Sequence, residues 1–156
     1  MKEQINLDNL RSMYKDSLLI SEKVAVKRSK IHRWGVFAIE KIEKHEIIEE
    51  FPYFFVFPEE MNNTQSIIQY SYEFEGGYVI GMGHCGLYNH NVDSNIDYQV
   101  DKLNEIMIHY ATRDIDVGEE LTLNYGLENA NFFANDDELL SDDTNGEETI
   151  NKNNKD

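Results

Sequence analysis

Tyr70, Tyr72, Tyr88, Tyr98 and Tyr125 are spread through a stretch of chain that also carries Asn89-His90 and Asn124-Tyr125-Gly126. Gathered in space, such side chains suit one kind of chemistry: aromatic faces exclude water and tolerate a cation, and hydroxyls hold a nitrogen or oxygen in place. Taken singly, a tyrosine is more often a packing residue with one satisfied hydroxyl, and a lone Asn-His pair carries no message. His90 in isolation reads as a satisfied core histidine, with no metal-ligand or general-base role. Cys85 is the only cysteine, which rules out an internal disulfide and a multi-cysteine zinc cluster. It reads as a bare buried thiol, and no metal ligands are expected.

Short strands and tight turns must position these groups. Val24-Ala25-Val26, Gly35-Val36-Phe37-Ala38, and Ile47 to Phe51 continued by the alternating Tyr53, Phe55 and Phe57 read as strands. Ile106, Ile108 and Tyr110 alternate with Met107, His109 and Ala111, a pattern apolar on both faces and therefore central, with His109 a core or interface histidine rather than a base. Ile42-Glu43-Lys44-His45-Glu46-Ile47-Ile48 and Ile115-Asp116-Val117-Gly118-Glu119-Glu120-Leu121 echo each other as turns entering strands, with Gly118 and His45 at the position of positive φ. Leu7, Leu10, Tyr14 and Leu18 recur at helical spacing, predicting an amphipathic helix over about Leu7 to Ser17 within an N-terminal unit, 1–20. Pro58-Glu59-Glu60 starts a second helical stretch reaching to about Tyr70.

The length fits one domain, placed at 21–126, and the fold class is mainly β (α+β). Residues 134–156 hold eight acids, two lysines and few aliphatics, too little apolar surface to offset ordering entropy, so an acidic disordered tail is expected there. The net charge is −16, and the remainder of the chain keeps −10. That balance disfavours direct nucleic-acid binding, whose phosphates need Lys and Arg, and favours basic partners. Neither an apolar run of membrane-span length nor a secretory signal is visible, so the expected location is intracellular, in a bacterial cytoplasm or a viral host cell.

Three segments together resemble the sequence skeleton of the SET-domain protein lysine methyltransferases, closest to short viral and bacterial stand-alone members. Ser29 to Ala38, with Arg33-Trp34-Gly35, resembles the family's first motif, in which a G-x-G loop approaches the methionine part of S-adenosylmethionine; here Arg33 replaces the first glycine. Gly83 to His90 resembles the second, whose Asn side chain and His backbone contact the cofactor. Asn95 matches the asparagine of the family's N-H-S-x-x-P-N run, although Asn91 and Ser94 depart from it. Gly118 to Gly126 matches the terminal motif. The resemblance implies several small curved β-sheets with a knot-like threaded C-terminal segment that brings Asn89 and Tyr125 together.

By that resemblance the cofactor is S-adenosyl-L-methionine, bound by Arg33, Trp34, Gly35, Asn89, His90 and Tyr125. Tyr125 is the catalytic candidate, with Tyr70 near it. Tyr88, Tyr98 and Leu123 are assigned to the substrate channel, with Leu123 and Tyr98 setting methyl number, mainly mono- or dimethylation. Phe132 and Phe133, in 127–133, either close over the adenine as an aromatic lid or plug the core. The implied partner is a Lys-rich protein such as a histone, histone-like or ribosomal protein; the chain could also pair as a homodimer. The alternative reading is a SET-fold binding module for a basic partner, its catalysis weakened at Arg33, Asn91 and Ser94. A third is a small β-rich structural protein with an acidic interaction arm.

Overall fold

The computed structural model describes residues 16–61 and 70–126. The expected N-terminal helix falls almost wholly outside them; Asp16 and Ser17 form a bend, and Ile20 instead bridges Glu49 in an extended segment. Ser21 donates its backbone N–H to Ile48 at 2.9 Å, and Glu50 donates to Leu19 at 2.8 Å, so this segment lies along a strand rather than standing off as a helix.

Nine strands make two sheets among the described residues. They are β1 (Val24–Arg28), β2 (Trp34–Ala38), β3 (Ile47–Val56), β4 (Tyr72–Phe74), β5 (Gly77–Gly81), β6 (Asn89–His90), β7 (Ile96–Asp101), β8 (Ile106–Ala111) and β9 (Glu120–Leu123). One sheet runs β1-β2-β9-β6 and the other β4-β5-β3-β8-β7. All pairings are antiparallel except β6 with β9, where Asn89 faces Thr122 and His90 faces Leu123 in parallel. The only α-helix described, α1 (Pro58–Met61), begins at the predicted proline; the rest of that predicted helix, 62–69, lies outside the described residues.

β8 is buried at all six positions, as its two-sided apolar pattern requires, and lies between β3 and β7. The main core gathers Val36, Ala38, Ile42, Ile48, Tyr88, Ile96, Ile115, Leu121 and Leu123 from both sheets. Full burial of side chains this size stabilises by about 1.5–3 kcal/mol each, before ordering entropy is subtracted.

The two echoing turns bond to each other. Ile42 and Ile115 exchange backbone hydrogen bonds at 3.0 and 2.9 Å. Each turn is closed the same way, by Glu46 accepting from the Glu43 N–H at 3.0 Å and by Glu119 accepting from the Asp116 N–H at 2.6 Å. His45 at φ 70° and Gly118 at φ 90° occupy the left-handed region as expected. The pair fixes where β9 starts, and β9 carries the segment ending in Tyr125.

Candidate active site

Gly35 sits where a side chain would be intolerable. A Cβ there would run into the Glu120 carboxylate and approach the Asn89 Nδ2 atom to 3.1 Å. Glu120 lies two residues before the β6–β9 pairing and accepts from Asn89 Nδ2 at 2.6 Å through Oε1 and from the Ser29 hydroxyl at 2.8 Å through Oε2. Asn89 Nδ2 also faces the backbone carbonyls of His32 and Trp34 at 3.2 and 3.1 Å. With acceptors on that side alone, the amide has one orientation: NH₂ toward β2, and Oδ1 turned away, where no donor from the described residues reaches it. Ser29, Gly35, Asn89 and Glu120 thus knit the first, second and third motifs into one unit.

Asn95 performs the matching task from the other side. Its Nδ2 donates to the Glu120 carbonyl at 2.8 Å and its Oδ1 accepts from the Thr122 N–H at 2.8 Å, so one side chain brackets the edge of β9. Asn95 is buried, and removing it would strand two backbone groups at about 1–3 kcal/mol each. The replaced position Asn91 stays in the network through its backbone, which donates to the Leu123 carbonyl at 2.9 Å.

Past β9 the chain turns Tyr125 back over β6. Its backbone N–H donates to His90 Nδ1 at 3.1 Å, its ring lies 5.2 Å from the His90 ring, and its hydroxyl donates to the Tyr88 carbonyl. Burial first, then the Glu120 charge and neighbouring Tyr70, push the Tyr125 phenol up to about 12. The residue is a neutral donor at physiological pH and no base. Tyr70, half-exposed, packs its ring edge 3.1 Å from the space a Cβ on Gly86 would fill, so Tyr70 and Tyr125 share one neighbourhood. The His90 side chain is engaged by Tyr125 through Nδ1.

Trp34 is exposed, with the Arg28 guanidinium 4.2 Å over its ring, and Arg33 holds φ 41°. Arg33 therefore adopts the left-handed backbone natural to the glycine it replaces, at a strain of about 1–2 kcal/mol. Tyr98 and Tyr72 stack edge-on at 4.7 Å beside the core, and Leu123 is buried in it. Tyr88 meets Tyr125 through its backbone carbonyl, while its ring is fully buried against His109 at 4.9 Å. Phe132, Phe133 and the expected acidic tail lie outside the described residues. Sequence reasoning missed Glu120 as the hub; its one signal was a carboxylate entering β9 opposite a strand that begins Trp-Gly.

Residues 33–126 match the family model for the SET domain. The chain belongs to the SET domain family. A Schizosaccharomyces pombe protein, a histone-lysine N-methyltransferase specific for H3 lysine-37, is 30% identical over 96 residues; the match covers 59% of this chain and 65% of that relative, so the chain spans under two thirds of its length. A crystal structure of a Plasmodium falciparum candidate histone methyltransferase is similar at TM-score 0.61 and 31% identity, over 69% of this chain and 96% of that one. A chain of a humanized Chaetomium thermophilum Polycomb Repressive Complex 2, bound to the inhibitor GSK126, shares the fold at TM-score 0.55 and 24% identity, over 66% of this chain and 15% of its own. The mostly β architecture, with its small sheets and single short helix among the described residues, is that of a SET domain. No helix among those residues is long and apolar enough to cross a membrane.

Proposed function

We propose that this SET domain transfers methyl groups from S-adenosyl-L-methionine to lysine side chains of a basic protein, inside the cell and without contacting nucleic acid directly. The observation that carries the reading is the junction at the parallel β6–β9 pair, where Asn89 lies against Gly35 and Tyr125 bonds to Tyr88 and His90 on either side of Asn89. We read that pair as the point where the C-terminal segment passes beneath the preceding loop.

The donor set fits a zwitterionic, sulfonium-bearing cofactor. Gly35 leaves room for the Glu120 carboxylate, and Asn89 Oδ1, held outward by Glu120, is an acceptor for an ammonium. Trp34, Arg33 and the His90 backbone border the same ground. When bound, the cofactor supplies an electrophilic methyl on a cationic sulfur. The protein's part is to hold the amine in line, exclude water and surround positive charge with aromatic faces, tasks suited to Tyr125, Tyr70 and Tyr98. Tyr125 acts by orientation, since its phenol keeps its proton. Burial of the substrate lysine lowers the pKa of its amine, so water takes that proton before transfer.

A net charge of −16 attracts Lys-rich segments, the class that includes histones, histone-like and ribosomal proteins. The two named methyltransferase relatives support a histone-like choice. One observation favours a second reading, a binding module with weakened catalysis: strained Arg33 stands at the cofactor loop in place of glycine. Titration of S-adenosylmethionine by calorimetry, followed by mass spectrometry of a lysine-rich peptide incubated with protein and cofactor, tests both. Cofactor binding with methylated product supports the enzyme; binding of the peptide alone supports the module.

A further inference from the structure

Glu49, Cys85 and His109 meet in the core. Glu49 and His109 face each other across the β3–β8 ladder, with Oε1 and Nδ1 3.4 Å apart. Cys85 Sγ lies 4.0 Å from the same Nδ1, and one donor atom from each residue lies within 4.8 Å of the others. A register shift between Ile47 and Glu49 on β3 turns Glu49 inward, and Gly81 on β5 makes room for the thiol, since a Cβ there would overlap Cys85. All three residues are buried.

The cluster is not satisfied by its own hydrogen bonds. Glu49 Oε1, His109 Nε2 and the Tyr88 hydroxyl make no hydrogen bond of normal geometry, although the Tyr88 hydroxyl and His109 Nδ1 both lie near the Glu49 carboxylate. A buried acceptor left so costs about 1–3 kcal/mol. Glu49 Oε2, in contrast, is held by His84 Nδ1 at 2.9 Å, which fixes the carboxylate with Oε1 aimed at His109 and Cys85. Neighbouring ligands of a tetrahedral zinc ion, bound at about 2.0–2.3 Å, stand about 3.3–3.6 Å apart. Glu49 Oε1 and His109 Nδ1 already stand at that spacing, Cys85 Sγ lies a few tenths of an ångström beyond it from Nδ1, and the Glu49 and Cys85 donors, within 4.8 Å of each other, close the remainder on binding.

We propose that Glu49 Oε1, Cys85 Sγ and His109 Nδ1 bind a zinc ion, with His84 orienting the carboxylate. A carboxylate, an imidazole and a thiolate form a donor set that suits zinc, whereas magnesium and calcium require oxygen ligands. The thiol releases its proton to solvent on binding, and the dication then balances one thiolate and one carboxylate. Without a cation the thiol stays neutral, because burial and the Glu49 charge push its pKa far above the ordinary range. The ion ties β3 and β8 to the 3-10 turn Cys85–Leu87, which leads directly into Asn89.

The test uses the full chain, without a histidine tag, equilibrated with zinc or cobalt(II) and freed of excess by gel filtration. The expected result is one zinc per chain by elemental mass spectrometry, a higher unfolding temperature than the chelator-treated protein, and a thiolate-to-cobalt absorption band. Cys85 is the only cysteine, so such a band has one source. Cys85→Ser should abolish the band, and His109→Phe, which removes a ligand, should weaken zinc binding by more than the roughly 10–100-fold that loss of an outer-shell partner costs. Should either variant fail to fold, the wild-type cobalt spectrum still decides. Folded wild-type protein that retains no stoichiometric zinc, or gives cobalt binding without a thiolate band, overturns the proposal.

Discussion

Asn89 Nδ2 and Glu120 Oε1 are joined by a 2.6 Å hydrogen bond across β6 and β9, and this contact decides which face the Asn89 amide offers. Glu120→Gln keeps the shape but can put an NH₂ against an NH₂. The amide then loses its charge-assisted anchor, and affinity for S-adenosylmethionine should fall by about 1.5–3 kcal/mol. Calorimetry on the folded variant checks this; unchanged affinity would remove Glu120 from the account.

The two echoing turns make opposite predictions. A Cβ on Gly118 would meet no heavy atom within 4 Å, yet φ is 90°, so Gly118→Ala should cost about 1–2 kcal/mol through backbone strain alone. His45 already carries that strain at φ 70°, and His45→Gly relieves it while adding about 0.5–1 kcal/mol of chain entropy to folding. Urea melts should show a clear loss for the first and a gain below about 1 kcal/mol for the second. Equal losses would mean that side-chain contacts, not φ, govern the turns.

Much of this was legible because it is local. Gly118 and His45 announce positive φ by residue type, and the alternation in β8 announces burial on both faces. The Asn89 and Tyr125 motifs lie far apart in sequence, and their meeting came from resemblance, since a two-residue parallel pairing has no periodicity to read. Glu49-Glu50 looks like a pair of solvated acids; the bulge that turns Glu49 inward has no residue signature here. That is why a cluster joining Glu49, Cys85 and His109 escaped a reading in which each was ordinary. Tyr88 lies between the 3-10 turn and β6, outside any strand, so no alternation bears on the burial of its ring.

Alkaline pH should unfold the protein earlier than exposed tyrosines would allow. Burial is the leading cause that raises the phenols of Tyr72, Tyr88, Tyr98 and Tyr125, the last to about 12. Folded values above the unfolded value of about 10 mean that the stabilising contribution is complete below about pH 10 and is lost as pH rises toward the folded values. Each such group steepens the loss by up to about 1.4 kcal/mol per pH unit. Urea melts followed with phenolate absorbance should show ionisation and unfolding together; free titration of these tyrosines in a folded protein would contradict their burial.

Tyr98, stacked on Tyr72 at 4.7 Å, is proposed from the family resemblance as the hydroxyl that limits methyl number, since Leu123 offers none. Mono- and dimethyl products are expected from the wild type, with a shift to higher methylation in Tyr98→Phe. Mass spectrometry of product against time checks this. Rapid trimethylation by the wild type would relieve Tyr98 of the role.

Single-turnover transfer of a labelled methyl group from S-adenosylmethionine to a lysine-rich histone peptide tests whether Tyr125 organises methyl transfer. Wild-type protein should label lysine. Tyr125→Phe, which deletes the hydroxyl bound to the Tyr88 carbonyl with little change of shape, should stay folded and bind cofactor while its rate falls roughly 100-fold or more, as when one positioned transition-state donor is removed. Absence of lysine labelling by the wild type, or an equal rate in Tyr125→Phe, would contradict the account.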